Sequence, residues 1–201
     1  MRATQALFTI ALLVGQPAAA DTTTIAFGSC LRQWKPVPIL QTVRSMKPDA
    51  FIFAGDNVYT DTGLYRFKRE PDRIAKAYKQ LAETAEYQAL KDSTQLFATW
   101  DDHDYGRNNA GAEYRYKDGA KQAFMNFFDI PANAPQRARP GIYAVHYLGE
   151  AEHRIQILLL DTRSFRDPLQ QGETNQQCPR SRLVATTDRT ATLLGDAQWA
   201  W

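Results

Sequence analysis

The chain reads as an α/β protein with a largely parallel sheet, and two observations carry that reading. Short apolar runs alternate with segments whose apolar residues fall at helical spacing, in the order strand, helix, strand, helix, strand. Each of the three apolar runs also ends abruptly in a polar cluster, and these clusters contain Cys30, Asp56 and His103. In open sheets of this kind ligands gather beyond the carboxyl ends of the strands. The feature that assigns the fold therefore also says where a site belongs.

The elements follow in order. Residues 24–28 (TIAFG) form a short buried strand that ends at Ser29-Cys30. After Pro36, the spacing of Val37, Leu40, Val43 and Met46 predicts a helix over 37–46, which Lys47-Pro48-Asp49 stops. Residues 50–54 (AFIFA) form a second strand cut off by Gly55-Asp56. Residues 71–90 place Ile74, Tyr78, Leu81, Tyr87 and Leu90 at helical spacing, which predicts one or two helices. Residues 95–100 form a third strand running straight into Asp101-Asp102-His103-Asp104. Downstream, 118–128 predicts a helix and 131–140 a loop. Residues 143–148 and 154–160 predict an antiparallel hairpin around Gly149-Glu150. Residues 165–189, rich in Gln, Arg, Thr and Pro, predict a long irregular excursion, and 194–199 the start of a helix.

The N-terminus stands apart. Met1-Arg2 is a short basic start, residues 6–14 (ALFTIALLV) are apolar, Gly15 and Pro17 break the run, and Ala18 and Ala20 supply small residues for cleavage. This predicts a secretory signal peptide over 1–20, with a mature chain that is periplasmic or secreted. The apolar run falls well short of the ~20 residues a spanning helix needs, which argues against a stable membrane anchor. The remaining 181 residues, 21–201, fit one domain. With 44% apolar and 23% charged residues the chain has the material for a core. A net charge of +2 gives no nucleic-acid-binding signature. The two cysteines, Cys30 and Cys178, default to a disulfide in an oxidising compartment. The place of Cys30 at a strand end offers the other reading, a metal-ligating thiolate.

The polar clusters carry the chemistry. Asp56 emerges from a rigid strand end, where a ligand is held accurately, and Tyr59 lies three residues on, so one loop brings a carboxylate and a phenolate together. In Asp101-Asp102-His103-Asp104, three carboxylates surround one histidine and repel one another unless a cation or a functional arrangement holds them. One carboxylate can ligate a metal while another fixes the tautomer of the imidazole. If the three strands are neighbours, Cys30, Asp56 and Asp102 converge. A thiolate, a phenolate and carboxylates suit a hard trivalent ion such as iron beside a divalent ion.

Together these segments resemble a known family. FGSC at 27–30, KPDAFIFAGDNVYTD at 47–61, LFATWDDHDYG at 96–106, LLLDTRSFR at 158–166 and LLGDAQWAW at 193–201 are similar to the successive signatures of alkaline phosphatase D proteins. The resemblance implies a metallophosphoesterase-type αββα two-sheet sandwich, truncated at the C-terminus, with metals at the strand ends. By position, Cys30, Asp56, Tyr59 and Asp102 match metal ligands, Asp56 bridging two ions. The centre implied is dinuclear, iron plus calcium, with zinc, manganese or magnesium also compatible. His103 matches the catalytic histidine and Asp104 the acid that orients it. Asn108 and Asn109 lie near a family Asn pair. Asp161, Arg163 and Arg166 match a structural signature that holds the second sheet.

The activity implied is hydrolysis of small phosphate esters, mono- or diesters, by a metal-activated hydroxide with His103 assisting at the leaving oxygen. Family members continue to a Gly-Asp-x-His-like segment that supplies late ligands. Nothing here matches that segment, and His146 and His153 read as structural or surface residues of the hairpin. The expectation is an incomplete domain whose second sheet leaves apolar surface uncovered. The alternative function is a catalytically inactive secreted homologue acting as a binding module.

Overall fold

Three adjacent parallel strands form the centre of the protein in the computed structural model, which describes residues 22–62, 72–172 and 183–201. The leader over 1–20 and Cys178 both lie outside the described residues. β1 (Ile25–Gly28), β2 (Ala50–Ala54) and β3 (Gln95–Thr99) pair in the order β1-β2-β3. The register sets Ile25 against Ala50 and Ala50 against Gln95. All three strands therefore end at the same edge, and the loops that follow them emerge side by side.

Alternation along β2 divides the core. Phe51 and Phe53 face the helices, in a cluster with Leu40, Ile74, Tyr78, Leu81, Tyr87, Leu90 and Phe124. Ala50 and Ile52 face the other way, towards Phe97, Leu148 and Leu159. That second face is covered by an antiparallel hairpin, β4 (Ala144–Leu148) and β5 (Ile155–Leu159), with Ala144 opposite Leu159. A helix layer, a parallel sheet and a hairpin thus stack in sequence. Residues Ala151–His153 form a 3-10 turn between β4 and β5. The outer face of the hairpin leaves Tyr147 and Leu158 47% and 56% exposed, in line with the expectation of uncovered apolar surface.

The helices form for local reasons. α1 is Ile39–Ser45, shorter than the predicted 37–46 because Pro38 occupies its N-cap. The stretch 71–90 resolves into two helices, α2 (Asp72–Ala82) and α3 (Ala85–Ser93). Thr84 separates them: its backbone is extended, and its hydroxyl accepts the Tyr87 N–H at 3.4 Å. α4 is the single turn Asp102–Tyr105, directly after β3. α5 is Lys117–Phe127, and it stacks Phe127 on Tyr78 and Tyr87 at 4.5 and 4.9 Å between ring centroids. Burying each such ring stabilises the fold by roughly 1.5–3 kcal/mol. Within the predicted loop 131–140, α6 (Pro135–Ala138) forms one helical turn, with proline where its missing N–H costs nothing. α7 is Gly195–Ala200. Among the described residues no helix is long and apolar enough to cross a membrane.

Asp161 anchors the end of β5. Its fully buried carboxylate accepts from Trp100 Nε1, Ile142 N, Arg163 N and Ser164 N, each at 2.9 Å, and from Ser164 Oγ at 2.7 Å. Its backbone exchanges two hydrogen bonds with the Gln198 side chain, at 2.7 and 2.9 Å. One residue thereby joins β3, the hairpin and α7.

His146 lies flat on Phe97, 4.3 Å between ring centroids, and burial pushes its pKa below the ordinary 6.5. The unfolded chain takes up this proton at higher pH than the folded one. The resulting stability is intact above the unfolded value and is lost as pH falls through the folded value. His146→Phe, which keeps the stack but cannot titrate, should flatten the fall in unfolding free energy between about pH 7 and pH 5 relative to the parent. Denaturant midpoints across that range check this, and parallel profiles would contradict it.

Candidate metal centre

The three strand-end loops are stitched to one another through their backbones. Cys30 N–H donates to Gly55 O at 3.2 Å and Leu31 N–H to Asp56 O at 2.9 Å, which lays the β1 loop on the β2 loop. Gly55 has φ +106°, and a Cβ there would stand 2.7 Å from the Asp101 Cβ, so only glycine admits the third loop. Cys30 and Asp56 both take left-handed backbone conformations, φ 63° and 50°. Non-glycine residues held there cost of order 1–3 kcal/mol, and such strain clusters at functional sites.

These loops bring the predicted residues together. Asp56, Asp102 and His103 each present a ligand-capable atom within 4.8 Å of the others. Cys30 carries a free thiol 3.7 Å from Asp56 Oδ2. Tyr59 interacts electrostatically with both Cys30 and Asp56, and its ring centroid lies 4.4 Å from that of His103. Tyr59 is held by Gln33, which accepts its N–H at 2.9 Å and donates to its carbonyl at 2.8 Å. The carboxylates are aimed by backbone N–H groups: His103 N–H donates to Asp56 Oδ1 at 3.3 Å and Asn109 N–H to Asp102 Oδ2 at 2.6 Å. Asn109 itself takes φ 61°, and Arg166 reaches its carbonyl at 2.6 Å.

The electrostatics match the crowding. Burial raises the Asp56 pKa, the neighbouring Asp102 charge adds to the rise, and His103 and Tyr59 oppose it without cancelling it. Tyr59 is raised by burial and by its contacts with Cys30 and Asp56. Burial alone would lower His103, but the hydrogen bond and charge of Asp61, helped by Asp102 and Asp56, hold it above the ordinary 6.5. Asp61 is itself buried enough to be pushed up, yet the bonds it accepts from His103 and Asn108 keep it below the usual carboxylate range.

The expected orienting role of Asp104 is not what the geometry gives. Asp61 Oδ1, not Asp104, lies 2.6 Å from His103 Nδ1. Asp104 is fully buried, with Oδ1 accepting Asp101 N–H at 2.7 Å and Oδ2 accepting Asn57 N–H at 3.1 Å. It closes the first turn of α4 in the manner of a capping box and ties the β2 loop to the β3 loop. Burial drives its pKa well up, against the pull of those N–H groups. Gln33 and Asp61 were missed in the sequence, although Asp61 stands in the quoted run GDNVYTD, five residues after Asp56.

The residues present fit a metal. Two carboxylates and an imidazole converge, with a thiol and a phenol hydroxyl on the same side, and burial makes the Asp56 anion costly. A bound cation would offset that cost and would favour the deprotonated thiol and phenol as ligands. Oxygen and nitrogen donors suit hard and borderline ions, and the Cys30 sulfur adds a softer donor.

Residues 25–201 match the family model described as PhoD-like phosphatase. No curated protein matches the sequence. A solved structure described as "Structure of PhoD" is similar with a TM-score of 0.61 and 19% sequence identity. The similarity covers 89% of this chain and 38% of that one, so this chain spans well under half the length of that structure, and at such identity the likeness is one of fold.

Asp104 and Cys30 should behave oppositely on substitution. Asp104→Ala strands the buried Asn57 N–H, at roughly 1–3 kcal/mol, and the part-buried Asp101 N–H, so a loss of about 2–4 kcal/mol is expected. Cys30→Ala, at an exposed position, should stay within about 0.5 kcal/mol. Denaturant unfolding measures both, and an equally small loss for Asp104→Ala would remove it from the scaffold.

Proposed function

The chain belongs to the PhoD-like phosphatase family, and from that premise we propose that it forms part of an exported, metal-dependent phosphoesterase acting on small phosphomonoesters or phosphodiesters. The observation that carries the reading is the meeting of Asp56, Asp102 and His103 beside Cys30 and Tyr59 at the ends of three parallel strands. The proposal includes a cleaved leader over 1–20, one domain from residue 21 onward, and a dinuclear centre of iron and calcium, with zinc, manganese or magnesium as other occupants.

Cys30, Tyr59 and Asp56 would hold one ion and Asp56 with Asp102 the other. Asp56 suits a bridging role because its two oxygens face different neighbours, Oδ1 the His103 N–H and Oδ2 the Cys30 thiol. Bound cations polarise phosphoryl oxygens and make water more acidic near neutral pH. The rest falls to the chain. His103, its Nδ1 engaged by Asp61 and its pKa raised by that carboxylate, would present Nε2 as the proton donor to the oxygen of the departing alcohol. Tyr59 packs against that ring and limits its rotation. The left-handed turns at Cys30 and Asp56 fix the ligand directions before substrate arrives, so little reorganisation is required on binding.

Two substitutions in the full-length protein separate these roles. Asp56→Asn should lower metal content and turnover together. His103→Ala should leave metal content nearly intact while turnover falls by roughly 10²–10⁴-fold, the usual span for a general acid. Elemental analysis with hydrolysis of an aryl phosphate monoester and an aryl diester reads both. Loss of metal from His103→Ala would make His103 a ligand instead, and hydrolysis of neither ester by the metal-loaded parent would overturn the function.

A further inference from the structure

We propose that the turn Arg32-Gln33-Trp34 after β1 reads the alcohol half of the substrate, selecting phosphate esters whose alcohol carries a planar aromatic group such as a nucleobase. This rests on the phosphoesterase reading above and deepens it by naming the substrate class. Three groups border the Tyr59 ring. The His103 ring lies 4.4 Å from it between centroids, Trp34 meets it edge-on at 6.2 Å, and the Arg32 guanidinium stands 5.6 Å over its centroid. Tyr59 therefore sets Arg32 and Trp34 beside the histidine proposed to serve the leaving oxygen.

The turn is fastened in a way that keeps these two side chains at the surface. Leu31 N–H donates to Asp56 O at 2.9 Å, and Lys35 N–H closes the turn on Arg32 O at 3.0 Å. Gln33, only 2% exposed, points inward and holds the Tyr59 backbone at 2.8 and 2.9 Å. Its neighbours face outward: Trp34 is 38% exposed, and Arg32 is exposed as well. A tryptophan presented on a fixed turn gives a large contact area at little cost in entropy. Among the described residues no carboxylate pairs with Arg32.

The chemistry of the pair matches an ester of this class. A flat base or aryl ring stacks on Trp34, a contact worth roughly 5–100-fold in affinity. The Arg32 guanidinium is planar, always charged and rich in donors, which suits the phosphoryl oxygens. A sugar or alkyl alcohol gains from Arg32 alone, because it brings no ring to Trp34. Discrimination therefore falls on the alcohol, one ring away from the phosphoryl group.

Adenosine 5′-phosphate and ribose 5-phosphate share one kind of leaving oxygen and differ in the base, so comparing them isolates the turn. In metal-loaded full-length protein, kcat/KM should favour adenosine 5′-phosphate by roughly tenfold. Trp34→Ala should collapse that ratio towards one, and Trp34→Phe, which keeps a ring, should retain most of it. Arg32→Ala should raise KM for both esters by a similar factor, roughly tenfold. Calorimetric titration of the metal-free protein with adenosine and with ribose gives a readout that needs no turnover. Adenosine should bind more tightly than ribose to the parent and to Trp34→Phe, and should lose that advantage in Trp34→Ala. No advantage of adenosine over ribose in the parent, or one that survives Trp34→Ala, would overturn the proposal and leave the phosphoesterase reading in place. If adenosine binding depends on Trp34 while the parent hydrolyses no phosphate ester, the subsite stands and the phosphoesterase reading is the one that fails.

Discussion

Every carboxylate of the site is also an acceptor for the backbone, and the rest of the arrangement depends on that constraint. Parallel strands that stop at one edge release N–H groups into three crowded loops, and buried N–H groups left unpaired are costly. Asp104 takes two of them, from Asp101 and Asn57. Asp56, Asp61 and Asp102 take one each, from His103, Asn108 and Asn109. Satisfying the chain therefore aims the side chains. The same bonds that close the loops leave the remaining oxygen faces turned towards one another.

That arrangement sets two demands in opposition. Backbone donors favour each anion singly, while burial and mutual repulsion disfavour the group. Asp61 and Asp56 show the balance falling on either side. Two strong donors pull Asp61 below the usual range, and Asp56, with weaker donors and Asp102 nearby, is pushed above it. A carboxylate held in place but not electrostatically satisfied is what a cation site requires. The helix layer shares the load, since Val58, Trp100 and Tyr105 from these loops pack in the same buried cluster as Phe53, Tyr78 and Phe124.

Much of this was legible in the sequence, and the misses have physical reasons. The three strands and their polar ends follow from short apolar runs stopped by Gly28, Gly55 and Asp101, and the meeting of Cys30, Asp56, Tyr59, Asp102 and His103 follows from their being neighbours in one sheet. The partner of His103 did not follow. Adjacency in sequence favoured Asp104, but in a single helical turn the residue after the histidine points into the core, whereas Asp61 reaches the ring across 42 positions. Gln33 carries no periodic or motif signal, since its work is to hold the backbone of Tyr59. Thr84 divided one periodic stretch into two helices by capping, a local event that spacing alone blurs.

The hairpin β4–β5 has a further consequence. Two strands alone are marginal in water. This pair rests on a small patch around Phe97, Leu148 and Leu159 and on the Asp161 junction. The loops bearing the site follow the other sheet and are bound to one another, with Trp100 and Asn109 also tied to the segment after β5 through Asp161 and Arg166. The molecule is therefore divided into units of unequal protection: amide protons of the hairpin should exchange with solvent through partial openings, and those of β2 only when the parallel sheet itself opens. Thr99 Oγ1, which donates to Leu160 O at 2.7 Å, sits on the boundary between the two units.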